Sequence, residues 1–489
     1  MFLGEILIAN GFVTRQDVDA ALARQREGGG ALGDNLIAIG ALTGDKLKQA
    51  LELAPSEPRD LRETGLTDRF VLNLLLKFMY VKAPETPAQL AEAVRLPVGI
   101  VDPLLRFARE NGFLHVLGAS GEGLLAALRY ELTDQGRKRA IEQLERSQYL
   151  GPAPVPMAAY IAQIERQHIT NERVSRADLA AKLSHLVLPE RLIDELGPAA
   201  NSARAMLLYG PPGSGKTSIA EAMGRSFKGL VYVPYAVELD GQVITIFDPT
   251  LHVPIEPGSA ETTEATRGPS LIREAIDGRW VLCRRPTVMA GGELRMEMLD
   301  LRYSAEAGLY EAPLQIKAMN GIFIIDDFGR QLVNPRDLLN RWIVPLEKRF
   351  DFLHLHTGRK FLIPFDVLIV FSTNLAPEDL MDEAFLRRIP YKILVGTPAI
   401  EEYAEIFRRV CDANQIKVPP DLVQLLLRDY YGKANENVAS YHPRFLVDRV
   451  IDGCRYRGAA PVLDEKLLAA AWRNLFVEKS PKAERTTPS

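Results

Sequence analysis

The chain has 489 residues, which at ~150 residues per domain amounts to about three domains. Apolar residues make up 47% and charged residues 25%, which excludes wholesale disorder and collagen-like repeats. Lys+Arg number 59 against 63 Asp+Glu, a net charge of −4, so a bulk basic field for nucleic acid is absent. The three cysteines, Cys283, Cys411 and Cys454, are far apart with no Cys-x-x-Cys pair, which indicates neither a disulfide framework nor a zinc site. No apolar run reaches the ~18 residues that span a bilayer. The start, MFLGEILIANGF, lacks a basic region and carries Glu5 within its apolar stretch, a poor signal peptide. A cytosolic (cytoplasmic) multidomain protein is expected.

Residues 1–54 hold an internal repeat. Leu3-Gly4-x-x-Leu7-x-x-x-Gly11 returns as Leu32-Gly33-x-x-Leu36-x-x-x-Gly40, at an offset of 29 residues. Each copy reads as a short amphipathic helix closed by a glycine, and Val18, Leu22 and Gln25 continue at helical spacing between them. Two similar helical hairpins packed on each other need the same leucines and glycines. The pattern resembles the N-terminal module of type II secretion and type IV pilus ATPases, in which two such motifs bind cyclic di-GMP. The match runs through Leu3, Gly4, Leu7, Gly11, Phe12, Val13, Val18, Leu22, Gln25, Leu32, Gly33, Leu36 and Gly40. The resemblance implies leucines and main-chain groups flanking the guanines. Where that family has an arginine before the first Leu-Gly, this chain has Phe2, with Ala31 at the second place, which removes a cation. A purely structural docking module is the alternative.

Residues 55–64 are polar and contain proline, as a linker would. From 65 to 148 the pattern is three helices, a hairpin and a further helix. Thr86 caps a helix with Pro87 at its first position. Another helix runs from about Val98 to Asn111. Phe113 to Val116 and Leu124 to Leu132 read as strands around a glycine-rich tip, Gly118 to Gly123. The order resembles a winged helix-turn-helix. Its candidate recognition helix carries Arg106 and Arg109 but also Asp102 and Glu110, and residues 51–150 hold 13 Lys+Arg against 14 Asp+Glu. Phosphate neutralisation needs a net positive face, so a protein contact is favoured over DNA. Residues 149–188 read as a proline-rich joint followed by a helical linker.

Strands and helices alternate over 189–394, which predicts a parallel α/β sheet with crossover helices. After the apolar strand 205–209 comes Gly210-Pro211-Pro212-Gly213-Ser214-Gly215-Lys216-Thr217, the G-x-x-x-x-G-K-[ST] pattern, and a helix opens at Ser218. Glycines let backbone amides turn inward around a β-phosphate, and the helix start adds partial positive charge. Nucleotide contact is expected from Gly210 through Ser218, with Lys216 on the β- and γ-phosphates and Thr217 on Mg²⁺. A second apolar strand, 321–325, ends in Asp326-Asp327. Asp326 is placed on the magnesium and Asp327 on the attacking water. A third strand, 367–371, leads to Asn374, which can bond that water or the γ-phosphate.

These residues resemble the AAA+ ATPase family over roughly 189–478, a P-loop NTPase domain to 394 with a helical lid over 395–478. Gly210–Thr217 is similar to Walker A, Asp326-Asp327 to Walker B and Asn374 to sensor 1. The segment from Glu383 to Ile389 resembles the one that carries an arginine finger, with Arg388 preferred over Arg387, and Tyr441-His-Pro-Arg444 resembles sensor 2 on the lid. Walker B usually ends in Asp-Glu; the shorter Asp327 implies looser water positioning. Thr217 and Asp326 lie 109 residues apart, longer than in most members, and the excess from about Glu238 to Arg302 reads as an insertion. Strand, turn and strand over 352–363 resemble the pre-sensor-1 hairpin of chelatases, MoxR-like ATPases and enhancer-binding activators, and Arg330 resembles the arginine that follows Walker B in MoxR-like members. His354 and His356 alternate onto one face with no third ligand nearby, so metal is not expected there. The resemblance implies ATP with Mg²⁺, a homo-oligomeric ring with a hexamer expected, and a protein client that the sequence does not name. A ligand-controlled DNA-binding regulator and an ATP-binding adaptor are the alternatives. The tail over 479–489 is polar, as disordered segments are.

Overall fold

In the computed structural model, residues 4, 7, 8, 12–44, 46, 47, 53–120, 127–255, 276–380, 383–419 and 421–476 are described. Leu3, Gly11, the tip of the hairpin near 121–126, the run SAETTEATRG and the tail lie outside them.

Five parallel strands form the central sheet, in the order Tyr391–Leu394, Met206–Tyr209, Leu368–Thr373, Ile322–Ile325, Thr287–Ala290. Near-continuous apolar runs suit strands covered on both faces. Alternation divides them between two cores. Ile322, Ile324, Leu368 and Val370 pack with Ile219 and Met223 of the helix Lys216–Gly224 and Leu196 of the helix Glu190–Ser202. Phe323, Ile325, Ile369 and Phe371 face the other way, toward Leu338, Leu339 and Trp342. The hairpin expected before the third strand is present as Phe350–His354 paired with Lys360–Pro364. This is an α/β fold with a phosphate-loop sheet. Its lid is helical, built from Ile400–Ala413, Leu422–Leu425, a π-helical turn Leu426–Tyr431, His442–Tyr456 and Glu465–Leu475 around a core of its own.

The stretch expected as a linker is structural. Val155–Pro156 forms an edge strand beside Ala236–Leu239, a position where proline's missing N–H costs nothing. The following helix, Met157–Arg166, buries Tyr160 and Ile164 in the core under the central sheet. The region read as an insertion completes a second sheet, ordered Arg302–Ser304, Leu309–Glu311, Gln242–Thr245, Ala236–Leu239, Val155–Pro156. Val237, Ile244 and Tyr310 of this sheet join the main core, while Ala236 and Val243 join the core of the helical domain. That domain has helices Asp68–Lys82, Pro87–Val94 and Val98–Glu110, a hairpin Leu114–Ser120 with Ala127–Leu132, and a closing helix Asp134–Arg146. Thr86 and Gln89 form a capping box at Pro87. A buried ion pair fastens the two units: Arg279 binds Asp277 at 2.8 Å and donates to the carbonyls of Thr64 and Pro154.

The N-terminal module has a separate core of Leu7, Val13, Val18, Ala21, Leu36 and Leu42. Two of its glycines, Gly4 and Gly33, serve packing. A Cβ on Gly4 would stand 2.9 Å from Val18 Cγ1, and one on Gly33 2.6 Å from Leu47 Cδ2. Leu7 and Leu36 are fully buried, Leu22 and Leu32 lie against the same core, and Gln25 donates to the Gly30 carbonyl at 2.7 Å. Gly40 takes φ +75° after the helix Leu32–Ala38, and among the described residues nothing lies within 4 Å of where its Cβ would be.

Candidate nucleotide site

Strand register brings the expected residues together. Thr373 pairs with Tyr209, so Asn374 comes level with Gly210, and Ile325 pairs with Phe371, which sets Asp326 beside Ser372. Two backbone bonds pin the acidic turn: the Asp326 amide donates to Ala290 at 2.9 Å and the Phe328 amide to Ser372 at 2.7 Å. The carboxyl ends of adjacent parallel strands are where such sheets bind ligands.

The phosphate loop leaves its strand at Gly210 and closes at Gly215, which takes φ +93° as the N-cap of the helix Lys216–Gly224. Lys216 is buried, and its ammonium donates to the Gly210 and Pro211 carbonyls at 3.0 and 2.8 Å and to Ser214 Oγ at 3.3 Å. Burial pulls its pKa below the usual lysine range, and the nearby Asp326 and Asp327 carboxylates partly offset that. Pro212 and Gly213 form the exposed crown of the loop, and Ser218 continues the helix. Thr217 Oγ1 donates to Asp326 Oδ2 at 2.8 Å, which joins a hydroxyl and a carboxylate as hard oxygen donors.

Asn374 links both sides of the site. Its Oδ1 accepts from Lys216 Nζ at 2.7 Å, and its Nδ2 donates to Asp327 Oδ1 at 3.3 Å. Asp327 adopts φ +50°, a left-handed conformation that aspartate tolerates better than most residues, and stands exposed. Gln331 braces the turn from below: it donates to the Asp326 carbonyl at 2.7 Å and accepts from the Gly329 amide at 2.8 Å. Nothing in the sequence singled out Gln331, since its partners depend on how the turn closes.

The arginines separate. Arg388 is tied into its own chain by Glu347 at 2.6 Å, whereas Arg387 is 77% exposed and meets only the exposed Glu383, at 3.1 Å, among the pairs described. Arg330 is exposed on the turn after Asp327. Arg444 lies on the lid helix, 81% exposed, with Asp448 at 3.8 Å. His356 stacks on Tyr303 at 3.9 Å and bonds the Tyr310 hydroxyl, while His354 is exposed. Among the described residues, no group of three or more His, Cys, Asp or Glu side chains is placed to hold a metal ion, and no helix is long and apolar enough to cross a membrane.

The family described as Domain of unknown function (DUF8689) matches residues 399–474, which coincide with the lid. No curated protein matches the chain. Among solved structures, NtrX from Brucella abortus aligns at 16% identity with a TM-score of 0.36, over 62% of this chain and 58% of that one. NtrX in complex with ATP aligns at 15% identity with a TM-score of 0.35, over 60% of this chain and 55% of that one. The Thermotoga maritima RuvB Holliday junction branch migration motor aligns at 14% identity with a TM-score of 0.32, over 59% of this chain and 70% of that one. The chain thus spans under two thirds of the length of both NtrX structures.

Proposed function

We propose that this chain is an ATPase of the AAA+ type that acts in a homo-oligomeric ring, with six subunits the arrangement to test first, and remodels a protein client. One observation carries the reading: Lys216, Thr217, Asp326, Asp327 and Asn374 converge at the ends of three adjacent strands, joined by hydrogen bonds of 2.7 to 3.3 Å. The loop amides and Lys216 bind and orient the triphosphate. Thr217 and Asp326 are the oxygen donors that fit Mg²⁺, which supplies charge neutralisation on the β- and γ-phosphates when bound. Asp327, held by Asn374, orients the water. The water oxygen bonds to the γ-phosphorus as the bond to the ADP oxygen breaks, and one water proton leaves to phosphate or solvent. Arg387, 77% exposed and paired with the likewise exposed Glu383, is the better candidate than Arg388 for the neighbouring subunit's phosphate. Arg444 serves from the lid.

Two finer points belong to the same proposal. The repeat module keeps its likeness to cyclic di-GMP sites, but the internal packing of Gly4, Gly33, Leu7 and Leu36 favours docking over ligand capture. The winged-helix-like domain favours a protein contact over DNA, because Arg106 pairs with Asp102 at 2.7 Å and Arg137 with Glu131 at 3.1 Å.

Steady-state phosphate release tests the central claim. Lys216→Ala is expected to lower turnover at least about 100-fold. Asp327→Asn is expected to do the same while retaining nucleotide, and so to trap the client in a pull-down. Wild-type turnover equal to that of Lys216→Ala, with nucleotide still bound, would instead establish an adaptor.

A further inference from the structure

Tyr441 lies on the phosphate loop. A Cβ on Gly213 would stand 2.0 Å from Tyr441 Cδ1 and 2.6 Å from Cε1, so the ring rests directly on that glycine. Tyr441 is also the residue from which the lid helix His442–Tyr456 starts. It is braced from behind: its ring meets that of His442 edge-on, centroids 4.4 Å apart. His442 is buried, and its Nδ1 accepts from the Ala439 amide at 3.2 Å and lies 2.7 Å from the Tyr431 hydroxyl. That hydroxyl is 3.0 Å from the Tyr403 hydroxyl, and Trp472 and Phe476 pack around the pair. The contact with the loop therefore stands on an ordered aromatic block. Arg444 and Asp448 follow Tyr441 at the three- and seven-residue spacings that share one helix face.

We propose that Tyr441 is a positioning residue that seats the lid on the phosphate loop and so sets where Arg444 reaches. A planar ring with two rotatable bonds holds a fixed stand-off at low entropic cost. The loop and lid then move as one: a shift of Gly213 on phosphate binding presses on the ring, and the helix start carries the shift to Arg444 one turn along. The ring does this, so its hydroxyl is dispensable.

The proposal rests on the nucleotide reading above, and a double-mutant cycle on the full chain separates the two. Phosphate release and affinity for a fluorescent ADP analogue are measured for wild type, Tyr441→Phe, Tyr441→Ala, Arg444→Ala and the Tyr441→Ala/Arg444→Ala pair. Tyr441→Ala is expected to lower kcat at least about fivefold with a smaller change in KM, Tyr441→Phe to stay within about twofold of wild type, and the pair to be no worse than Arg444→Ala alone. Tyr441→Ala within about twofold of wild type, or effects that multiply in the pair, would overturn the proposal. Tyr441 is 45% exposed, and an unchanged melting temperature for Tyr441→Ala distinguishes lost seating from lost folding. Wild-type turnover that Lys216→Ala abolishes upholds the nucleotide reading whatever Tyr441 does.

Discussion

Glycine is used in opposite ways in the N-terminal module and in the phosphate loop. In the module, Gly33 sits inside a helix, and its missing side chain makes room for Leu47. In the loop, Gly213 has φ +73°, and its bare backbone lies against the Tyr441 ring. The same letter in the sequence thus marks close helix packing in one place and a left-handed turn of a tight loop in the other. Flanking structure tells them apart: the loop has a buried strand before it and a helix start after it, while the module has helices on both sides.

The largest effect that can sharpen this contrast lies in the lid core that supports Tyr441. Burial lowers the His442 pKa to about 4, below the ~6.5 of an unfolded histidine. Between those values the unfolded chain binds the proton more readily, so the lid's stability is complete above ~6.5 and declines as pH falls toward 4, by roughly 3 kcal/mol in all. Melting curves from pH 7 to 4 should show that loss, and His442→Asn should flatten it. Next comes Gly213→Ala. The new methyl group meets Tyr441 in a backbone conformation that alanine resists, and ADP affinity should fall about 30-fold in a titration, with little change in melting. The smallest effect is that of Gly33→Val, which crowds Leu47 and should destabilise the module by ~1–2 kcal/mol while ATP turnover stays at the wild-type rate. If Gly33→Val instead changed turnover and left melting alone, the contrast would break, and Gly33 would belong to a ligand site.

Much of the candidate site is legible in the sequence because each candidate residue follows closely on an apolar strand. Gly210, Asp326 and Asn374 stand at or within three residues of the ends of runs that have no other place to go but a covered sheet. Thr86 and Pro87 announce their helix by local chemistry alone. What stays hidden depends on distant pairing. Val155–Pro156 looks like a joint, since two residues between prolines carry no periodicity, and only Ala236–Leu239 gives them a partner. The choice between Arg387 and Arg388 turns on Glu347, some forty residues away and brought close by the fold. Tyr441 is visible as part of a motif, yet its contact is with Gly213, more than two hundred residues earlier.

The shared sheet around Val155 and Ala236 bears on how the protein can be taken apart. A fragment cut just before the phosphate-loop strand would lose Tyr160 and Ile164 from beneath the sheet and would strip Val155 from its neighbour. It would also leave the Arg279–Asp277 pair without the carbonyls of Thr64 and Pro154 that satisfy it. The phosphate-loop sheet and its helical front end therefore share their packing, and the two expressed together, rather than the excised sheet region, are the reagent for biochemistry.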